Sequence, residues 1–261
     1  MELRVATYNV NSIKARKLLL LKWLEKRERV DILGLQELKR EDKYFPYKDF
    51  SRLGYTCAVF PQRTYNGVCI CSRLEIEEVR KGFGDEEFDR QKRLISAKIK
   101  GIWFINVYAP HGDLRGTEKF YYKLTFFERL LKYLKEYHSP REKLCVMGDF
   151  NVALEDKDLY DPEALRDSIG AMEEEREAFR RILNWGLVDA FRLLYPDKVQ
   201  FTWWDYIGGM IWKNKGMRID YILITQPLVD KLRDIYVDIW PRKRKSPKPS
   251  DHAPVVGVFK L

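Results

Sequence analysis

Short, nearly continuous apolar runs are the feature that most constrains the fold of this chain. Residues 31–36 have the sequence Asp-Ile-Leu-Gly-Leu-Gln, and residues 143–149 have the sequence Lys-Leu-Cys-Val-Met-Gly-Asp. Runs of this length without a polar face are typical of strands that are buried on both faces of a sheet. Such strands need packed layers on each side, so the sequence predicts an α/β fold.

Further strand and helix patterns surround these two runs. Additional strands are predicted at residues 3–8, 55–60, 67–72, 75–80, 94–100, 102–108, 219–224, 235–239 and 253–259. Helices are predicted at residues 13–29 after the cap Ser12, from the cap Thr117 to about Tyr137, and at residues 173–185 before Gly186. We therefore predict one domain over residues 1–261, with two stacked sheets and helices outside. Its two pseudo-symmetric halves, about 1–138 and 139–261, would each form one sheet.

The charge balance indicates the kind of partner. Lys and Arg number 48 against 39 Asp and Glu, which gives a net charge of +9. This excess favours a polyanion such as nucleic acid or an anionic surface. No run of about 18 apolar residues is present, so no membrane-spanning helix is expected. The N-terminus leads directly into a strand pattern, so no signal peptide is expected.

Cysteine usage predicts a reducing environment. Cys57, Cys69, Cys71 and Cys145 lie in apolar runs, and their spacing matches no zinc site or disulfide framework. We predict four small buried thiols and a cytoplasmic protein.

The charged fraction of 33% exceeds the usual quarter and favours a heat-adapted source.

Polar side chains that suit catalysis lie at the ends of the predicted strands. They are Asn9, Asn11, Glu37, Tyr108, Asp149, Asn151, Asp220, Asp251 and His252. A single carboxylate at a strand end usually caps a turn, but stacked sheets can bring all of these ends to one rim. That rim would combine carboxylates, amides, a phenol and one imidazole.

This set of side chains suits the hydrolysis of a phosphodiester. Oxygen atoms of Glu37, Asp251 and the Asn amides match Mg²⁺, which takes one or two carboxylates and keeps several waters. Zinc is disfavoured because no Cys or second His joins the set. The reaction requires a metal that offsets charge, a base for water and preorganised donors for the oxyanion.

Seven short motifs carry a resemblance to a known family. They are Ala6-Thr-Tyr-Asn-Val-Asn11, Leu35-Gln-Glu37, Asn106-Val-Tyr108, Gly148-Asp-Phe-Asn151, Phe201-Thr-Trp-Trp204, Arg218-Ile-Asp220 and Ser250-Asp-His252. In order and type they resemble the exonuclease III family of apurinic/apyrimidinic (AP) endonucleases, within the endonuclease/exonuclease/phosphatase superfamily. The Asn-Val-Tyr and Phe-Thr-Trp-Trp motifs are more particular to the DNA-repair branch than the others.

The resemblance implies a fold, an activity and a cofactor. The fold is a four-layer α/β sandwich of two stacked mixed sheets flanked by helices, like that of DNase I. The activity is incision on the 5′ side of an abasic site in double-stranded DNA, with trimming of blocked 3′ ends as exonuclease, phosphodiesterase or phosphatase. The cofactor is Mg²⁺, for which Mn²⁺ could substitute, with Glu37 as main ligand and Asn9, Asn11 and Asp251 nearby. A monomeric, prokaryotic and nucleoid-associated protein is expected.

The resemblance also implies catalytic roles for single residues. Asp149 resembles the residue that orients or deprotonates the attacking water. Asn151, Tyr108 and His252 resemble the donors that hold the phosphate. Asp220 resembles the partner that fixes the tautomer of His252, which is a sensible role beside a lone catalytic imidazole.

Trp203, Met217 and Ile219 fall where the family builds an apolar pocket for a flipped-out abasic sugar. Extruding a nucleotide is easiest where no base pairs, so such a pocket suits this lesion. Two positions depart from the family pattern, because His111 replaces an amide and Met217 replaces a common aromatic residue. We hypothesise that these changes admit lesions that keep a base, such as uracil or hypoxanthine.

A basic surface is expected around this acidic centre. Candidate phosphate contacts are Lys14, Arg16, Arg115, Lys119, Lys213, Lys215 and residues 242–248, which include Arg242, Lys243, Arg244, Lys245 and Lys248. Ser168 is a further candidate, because relatives place DNA-contacting Asn residues in that segment. Residues 241–249 could equally form a solvated loop without a binding role.

Two other functions remain open at this point. One keeps the chemistry and changes the substrate, as an RNA 3′-exonuclease or a phosphatase of the same superfamily; basic grooves and aromatic side chains serve any nucleic acid. The other is a DNA-binding module without catalysis. Binding alone would not need Glu37, Asp149 and Asp251, which repel phosphates unless a cation lies among them.

Overall fold

Two β-sheets form the framework of the protein. The computed structural model describes all of residues 1–261. Its strands are β1 Glu2–Asn9, β2 Ile32–Gln36, β3 Thr56–Phe60, β4 Val68–Ser72, β5 Glu78–Lys81, β6 Leu94–Ile99, β7 Ile102–Tyr108, β8 Leu144–Asp149, β9 Val188–Asp189, β10 Asp220–Ile224, β11 Leu232–Val237 and β12 Val255–Lys260. The predicted strands are all present, with ends displaced by at most three residues.

Eight α-helices accompany the sheets. They are α1 Ile13–Lys26, α2 Tyr47–Arg52, α3 Glu118–Tyr137, α4 Pro162–Leu165, α5 Glu173–Gly186, α6 Ala190–Leu194, α7 Met210–Lys213 and α8 Gln226–Val229. The predicted caps of α1 and α3 are confirmed, because Ser12 and Thr117 accept the backbone N–H groups of Ala15 and Phe120. None of the helices combines the length and the apolar character needed to cross a bilayer.

The sheets stack face to face as the inner layers of a sandwich. Sheet 1 has the strand order β11-β12-β1-β2-β4-β3, and sheet 2 has the order β5-β6-β7-β8-β10-β9. Buried residues of both sheets, such as Ile32 and Phe104, form one core between them. Outside, α1 packs on sheet 1 through Trp23, and α3 and α5 pack on sheet 2 through Phe127 and Phe179. The predicted four-layer α/β sandwich is confirmed.

The predicted division of the sheets between two halves of the chain is wrong. Sheet 1 combines β1–β4 with β11 and β12, whereas sheet 2 takes all strands from β5 to β10. Two pairings cause the difference: β12 returns to the free edge of β1 with Thr7 opposite Val255, and β7 pairs parallel with β8, which places β5–β7 in sheet 2. A buried strand must pair its backbone groups on both edges. The single domain over residues 1–261 stays a prediction, which the core shared by both sheets supports.

The strand directions bring the polar ends to one rim. β1 and β2 run parallel, so Asn9 and the residues after Gln36 lie together. β7 and β8 also run parallel, and β10 is antiparallel to β8, which places Asp220 opposite Asp149. Because β12 is antiparallel to β1, β12 starts at this rim, and the segment before Val255 lies there as well.

One cysteine prediction is corrected by the structure. Cys57 on β3 and Cys71 on β4 lie opposite each other and form a disulfide bond. Cys69 and Cys145 are free and buried, as predicted. Spacing alone did not indicate the bond, because the register of two paired strands decides which side chains face each other. The inference of a reducing environment from four thiols therefore loses its basis.

Reduction of this disulfide should lower the free energy of unfolding by about 2–3 kcal/mol, because the bond closes a short loop in the unfolded chain. The two cysteines are 14 residues apart. Thermal unfolding with and without reductant measures the effect, and a Cys57→Ser/Cys71→Ser variant should not respond to reductant. A thiol titration of the unfolded, unreduced protein should find only Cys69 and Cys145; four reactive thiols would contradict the bond.

Candidate active site

Sharp turns follow the strands that end at the rim. Asn11, Glu37 and Asn151 have positive φ angles of 44°, 52° and 51°. This left-handed region is uncommon for residues other than Gly, Asn and Asp, and it concentrates at functional sites. The turns stop the strand pattern, so the side chains of Glu37 and Asn151 lie over the end of the sandwich.

Asn9 connects the two carboxylates at the centre of the rim. Its amide nitrogen donates to Oε1 of Glu37 and to Oδ2 of Asp149, at 2.9 Å in each case. Its amide oxygen accepts the backbone N–H of Asn11 at 3.0 Å. Both ends of the amide are therefore used within the protein. Asn9 therefore orients the two carboxylates, and its place in the metal ligand set stays a prediction.

His252 lies between two carboxylates. Its Nδ1 is 2.8 Å from Oδ2 of Asp220, and its Nε2 is 3.6 Å from Oδ2 of Asp149. Nδ1 of the ring donates its proton to Asp220, and Nε2, on the other side of the ring, faces Asp149. Burial acts to lower the pKa of His252, but the charges of Asp220 and Asp149 outweigh it and raise this pKa to about 10. Asp220 thus occupies the place of a residue that orients the imidazole.

Asp149 is a buried carboxyl group with altered acidity. Oδ1 accepts the backbone N–H of Asn151 at 2.9 Å, and Oδ2 accepts the Asn9 amide. Burial raises the pKa of Asp149 to about 7, against the opposing charge of His252. A carboxyl group with a pKa near neutrality can accept a proton and later return it. This matches the chemistry required of a group that activates water.

A second polar cluster surrounds Asp251. Its Oδ2 accepts the indole N–H of Trp203 at 2.9 Å, and its Oδ1 accepts the Asn11 amide at 3.3 Å. Lys39 lies beside it, with Nζ 2.7 Å from Oδ1 of Asn11 and 3.0 Å from Oε2 of Glu37. Sequence reasoning missed Lys39, because nothing distinguishes this lysine from a solvated one before the fold is known.

The central groups fit a divalent metal ion. Potential ligand atoms of Glu37, Asp149 and His252 all lie within 4.8 Å of one another. Lys39 places a positive charge against Glu37 and Asn11, so these oxygens accept a cation in this position. Carboxylate and amide oxygens are the ligands that Mg²⁺ prefers. A single imidazole does not suit zinc, which usually takes several His or Cys ligands.

A small cavity opens directly beside these groups. It has a volume of about 190 Å³ and is lined by Glu37, Tyr108, His111, Asp149, Asn151, Ile169, Gly170, Trp203, Met217, Ile219, Asp251 and His252. The sequence predicted all of these except Ile169 and Gly170. The lining is of two kinds: Ile169, Trp203, Met217 and Ile219 form an apolar wall, and the catalytic candidates form a polar wall.

Comparisons with known proteins agree with this geometry. Residues 6–252 match the Endonuclease/Exonuclease/phosphatase family. The chain belongs to this family. Exodeoxyribonuclease III of Haemophilus influenzae is 33% identical over 270 residues, which cover 99% of this chain and 100% of the relative. The resemblance found in the sequence is thus confirmed.

Solved structures place the chain among the DNA-acting members of the family. An AP endonuclease from Archaeoglobus fulgidus superposes with a TM-score of 0.95 at 41% identity, covering 99% of this chain and 100% of that one. A 3′ phosphatase from Neisseria, solved with a product DNA hairpin, gives a TM-score of 0.93 at 36% identity over the same shares. These matches confirm the fold class and the enzyme class, a phosphodiester hydrolase.

Three predicted substrate-binding residues lie outside the cavity of this family member. Ser168 lines a neighbouring cleft with Asp167, although the next residues, Ile169 and Gly170, do line the cavity. Arg115 is exposed and forms ion pairs with Asp167 at 2.8 Å and with Glu174. Lys213 is exposed at the end of α7. Their contacts with a substrate stay predictions.

Arg242 has a different role from the predicted phosphate contact. Its side chain is only 5% exposed. The guanidinium donates to the backbone oxygens of Trp204 at 2.9 Å and of Asp251 at 3.2 Å. Arg242 therefore holds the Trp204 and Asp251 segments together, whereas Arg244, Lys245 and Lys248 remain exposed.

Proposed function

We propose that this family member is a metal-dependent DNA repair nuclease that cuts on the 5′ side of an abasic site and trims blocked 3′ ends. The observation that carries the proposal is the cavity of about 190 Å³ beside Asp149 and His252. Its apolar wall suits a deoxyribose without a base, and its polar wall suits the adjoining phosphate. The relatives' names include both an AP endonuclease and a 3′ phosphatase, which supports both activities.

The residues of the polar wall supply the steps of phosphodiester hydrolysis. Asp149 takes a proton from the attacking water, for which its raised pKa prepares it. His252, Asn151 and Tyr108 donate to the phosphate oxygens as negative charge develops. Asp220 keeps the imidazole of His252 protonated and in one orientation throughout. Because these groups are held in place before the substrate arrives, little reorganisation is needed during the reaction.

Glu37, Asp149 and the amide oxygen of Asn11 are the atoms that would hold Mg²⁺, with Mn²⁺ as a substitute. When bound, the ion offsets the charge that builds up on the phosphate. Asp251 lies beside this ligand set, with its oxygens bonded to Trp203 and Asn11. It shapes the site by holding these two side chains.

The cavity also bears on the hypothesis of base-containing lesions. A volume of about 190 Å³ is below the ~300–1,000 Å³ of ordinary ligand pockets, so a sugar fits more readily than a nucleoside. Admitting a base would require Met217, at the cavity wall, to move. We expect incision at an abasic site to exceed incision at uracil or hypoxanthine. Equal rates on the abasic duplex and on a duplex that contains uracil or hypoxanthine would instead support the hypothesis that Met217 and His111 widen the range of lesions.

Cationic and amide groups continue from the cavity across the protein surface. An adjoining cleft shares Tyr108 and His111 with the cavity and adds Lys119 and Gln62. Such donors suit the phosphates of a DNA backbone, which they contact without reading its sequence. Double-stranded DNA with abasic or 3′-blocked sites is the partner in this proposal, bound by a monomer. The same proposal includes a cytoplasmic, nucleoid-associated location in a prokaryote, and a heat-adapted source stays a prediction.

Neutralising the basic loop before Ser250 should flatten the salt dependence of DNA binding. The variant replaces Arg244, Lys245 and Lys248 with Ala and leaves the buried Arg242 intact. Log affinity falls with log salt, and each lost phosphate contact should make this negative slope shallower by about 0.9. The slope is measured by fluorescence anisotropy with an abasic duplex.

The matched control replaces three exposed cations of the outer helices, Lys132, Lys135 and Arg181. It should leave the slope unchanged. If the loop variant also keeps the wild-type slope, residues 241–249 form a solvated loop without a role in binding.

The test of the proposed function is an abasic duplex incubated with the protein in Mg²⁺ or in EDTA. Cutting on the 5′ side of the lesion in Mg²⁺, and its loss in EDTA, are expected. A matched duplex without the lesion serves as the control. Tight binding without cutting in any metal would establish the DNA-binding module instead, and preferential degradation of RNA 3′ ends would establish the RNA exonuclease.

A further inference from the structure

Lys123 is a fully buried lysine in the N-terminal half of α3. Its ammonium group donates to the backbone oxygen of His111 at 3.0 Å, to that of Asn151 at 2.7 Å and to the carboxylate of Glu175. An ammonium group carries three protons and no acceptor. Each proton of Lys123 therefore has one partner, and all three partners come from different segments of the chain.

Glu175, on α5, is as deeply buried as Lys123. Its Oε1 accepts the backbone N–H groups of Gly170 at 2.8 Å and Met172 at 3.1 Å. Burying an ion pair is weak evidence for a contribution to stability, because apolar residues of similar volume often stabilise a fold as well or better. The geometry of the pair points to another role, since it connects α3 and α5 to three separate turns.

These turns are walls of the cavity beside Asp149. Asn151, His111 and Gly170 all line it. Asn151 has a left-handed backbone, and its side-chain amide donates to the backbone oxygen of Ala109 at 2.8 Å. The bond from Lys123 to the Asn151 carbonyl fixes this residue at a second point. A Cβ atom on Gly170 would lie 3.0 Å from the same carbonyl oxygen, so the two walls touch here.

We infer that Lys123 and Glu175 are a positioning pair that sets the distance between Asn151 and the wall formed by Ile169 and Gly170. Neither side chain lines the cavity, so both act through the residues they hold. The pair aims the Asn151 amide at the phosphate and keeps the cavity at the width of a sugar. This inference rests on the proposed function.

The test is a Lys123→Met/Glu175→Gln variant, which removes both charges together and leaves no lone buried charge. The amide introduced by Glu175→Gln still offers an oxygen to the backbone N–H groups of Gly170 and Met172. We expect kcat on an abasic duplex to fall about 10- to 100-fold, because a misplacement of about 1 Å can slow a reaction 10²-fold. KM should rise several-fold on the abasic duplex but stay within about twofold on a 3′-phosphate duplex, whose phosphate meets Asn151 without a sugar in the cavity.

The matched control is Leu130→Ala on the same helix, since Leu130 packs in the core between α3 and sheet 2. A merely destabilised enzyme has fewer active molecules, so its kcat falls while KM stays constant on both substrates. The inference is overturned if the double variant behaves like this control or like wild type. Should the double variant not fold, Glu175→Asp, which keeps the charge and shortens the reach to Lys123, must show the same KM difference at smaller size. A wild type that cuts neither substrate would remove the proposed function, and the inference with it.

Discussion

Replacing Asp149 with Asn should lower kcat for incision of an abasic duplex by about 10²–10⁴-fold, the usual contribution of a general base. An amide is close in size to the carboxylate, so the contacts with Asn9 and the Asn151 backbone can persist in part. The amide cannot accept a proton from water. The substitution thus removes the carboxyl group whose pKa burial raises to about 7. Single-turnover kinetics in saturating Mg²⁺ measure the loss.

Binding of the abasic duplex should survive this substitution, because the change removes a negative charge near the phosphate. An Asp230→Asn variant, in which an exposed carboxylate is replaced, serves as the matched control and should retain wild-type kcat. If Asp149→Asn stays within about tenfold of wild type, another group activates the water and the assignment is wrong.

Replacing Asp220 with Asn should also reduce kcat, by about 10²–10⁴-fold. Asp220 accepts the Nδ1 proton of His252 at 2.8 Å, which leaves Nε2 to face Asp149. An amide removes the negative charge that keeps both ring nitrogens protonated, and it can donate to Nδ1, so Nε2 loses the proton that it would donate to the phosphate; the corresponding exchange in a Ser-His-Asp triad lowers kcat about 10⁴-fold. The substitution leaves the positions of the ring atoms largely unchanged, so affinity for DNA should change little.

A double-mutant comparison separates this role from a general loss of structure. If Asp220 acts only through the imidazole, Asp220→Asn should add little to the loss seen in His252→Ala. The measurement is kcat for the two single variants and the double variant on the abasic duplex. Additive losses would show that Asp220 contributes independently of His252 and would reject its role in keeping the imidazole protonated and oriented.

The convergence of the polar strand ends at one rim was predictable from the sequence because its signals are local. Asn9, Glu37 and Asp149 each follow a run whose apolar character marks a buried strand. Parallel strands end at the same edge, so the convergence of these ends follows once strands are recognised. The helix caps Ser12 and Thr117 were equally visible, because a cap depends on residues within one turn.

Features that depend on long-range packing were not predictable in this way. Arg242 lies in a run of basic residues, yet only its contacts with Trp204 and Asp251 distinguish it from its exposed neighbours. Lys123 shows the same limitation, since a lysine within an amphipathic helix is usually solvated. The pairing of Cys57 with Cys71 and of β12 with β1 likewise depends on strand register.

The position of β12 has a consequence for the timing of activity during protein synthesis. This strand lies between β1 and β11 within sheet 1, and Asp251 and His252 come just before it. A nascent chain that has not reached these residues lacks the imidazole and leaves one edge of β1 unpaired. Under the proposed function, a chain that ends before this region should not cut DNA, because it lacks the imidazole that donates to the phosphate.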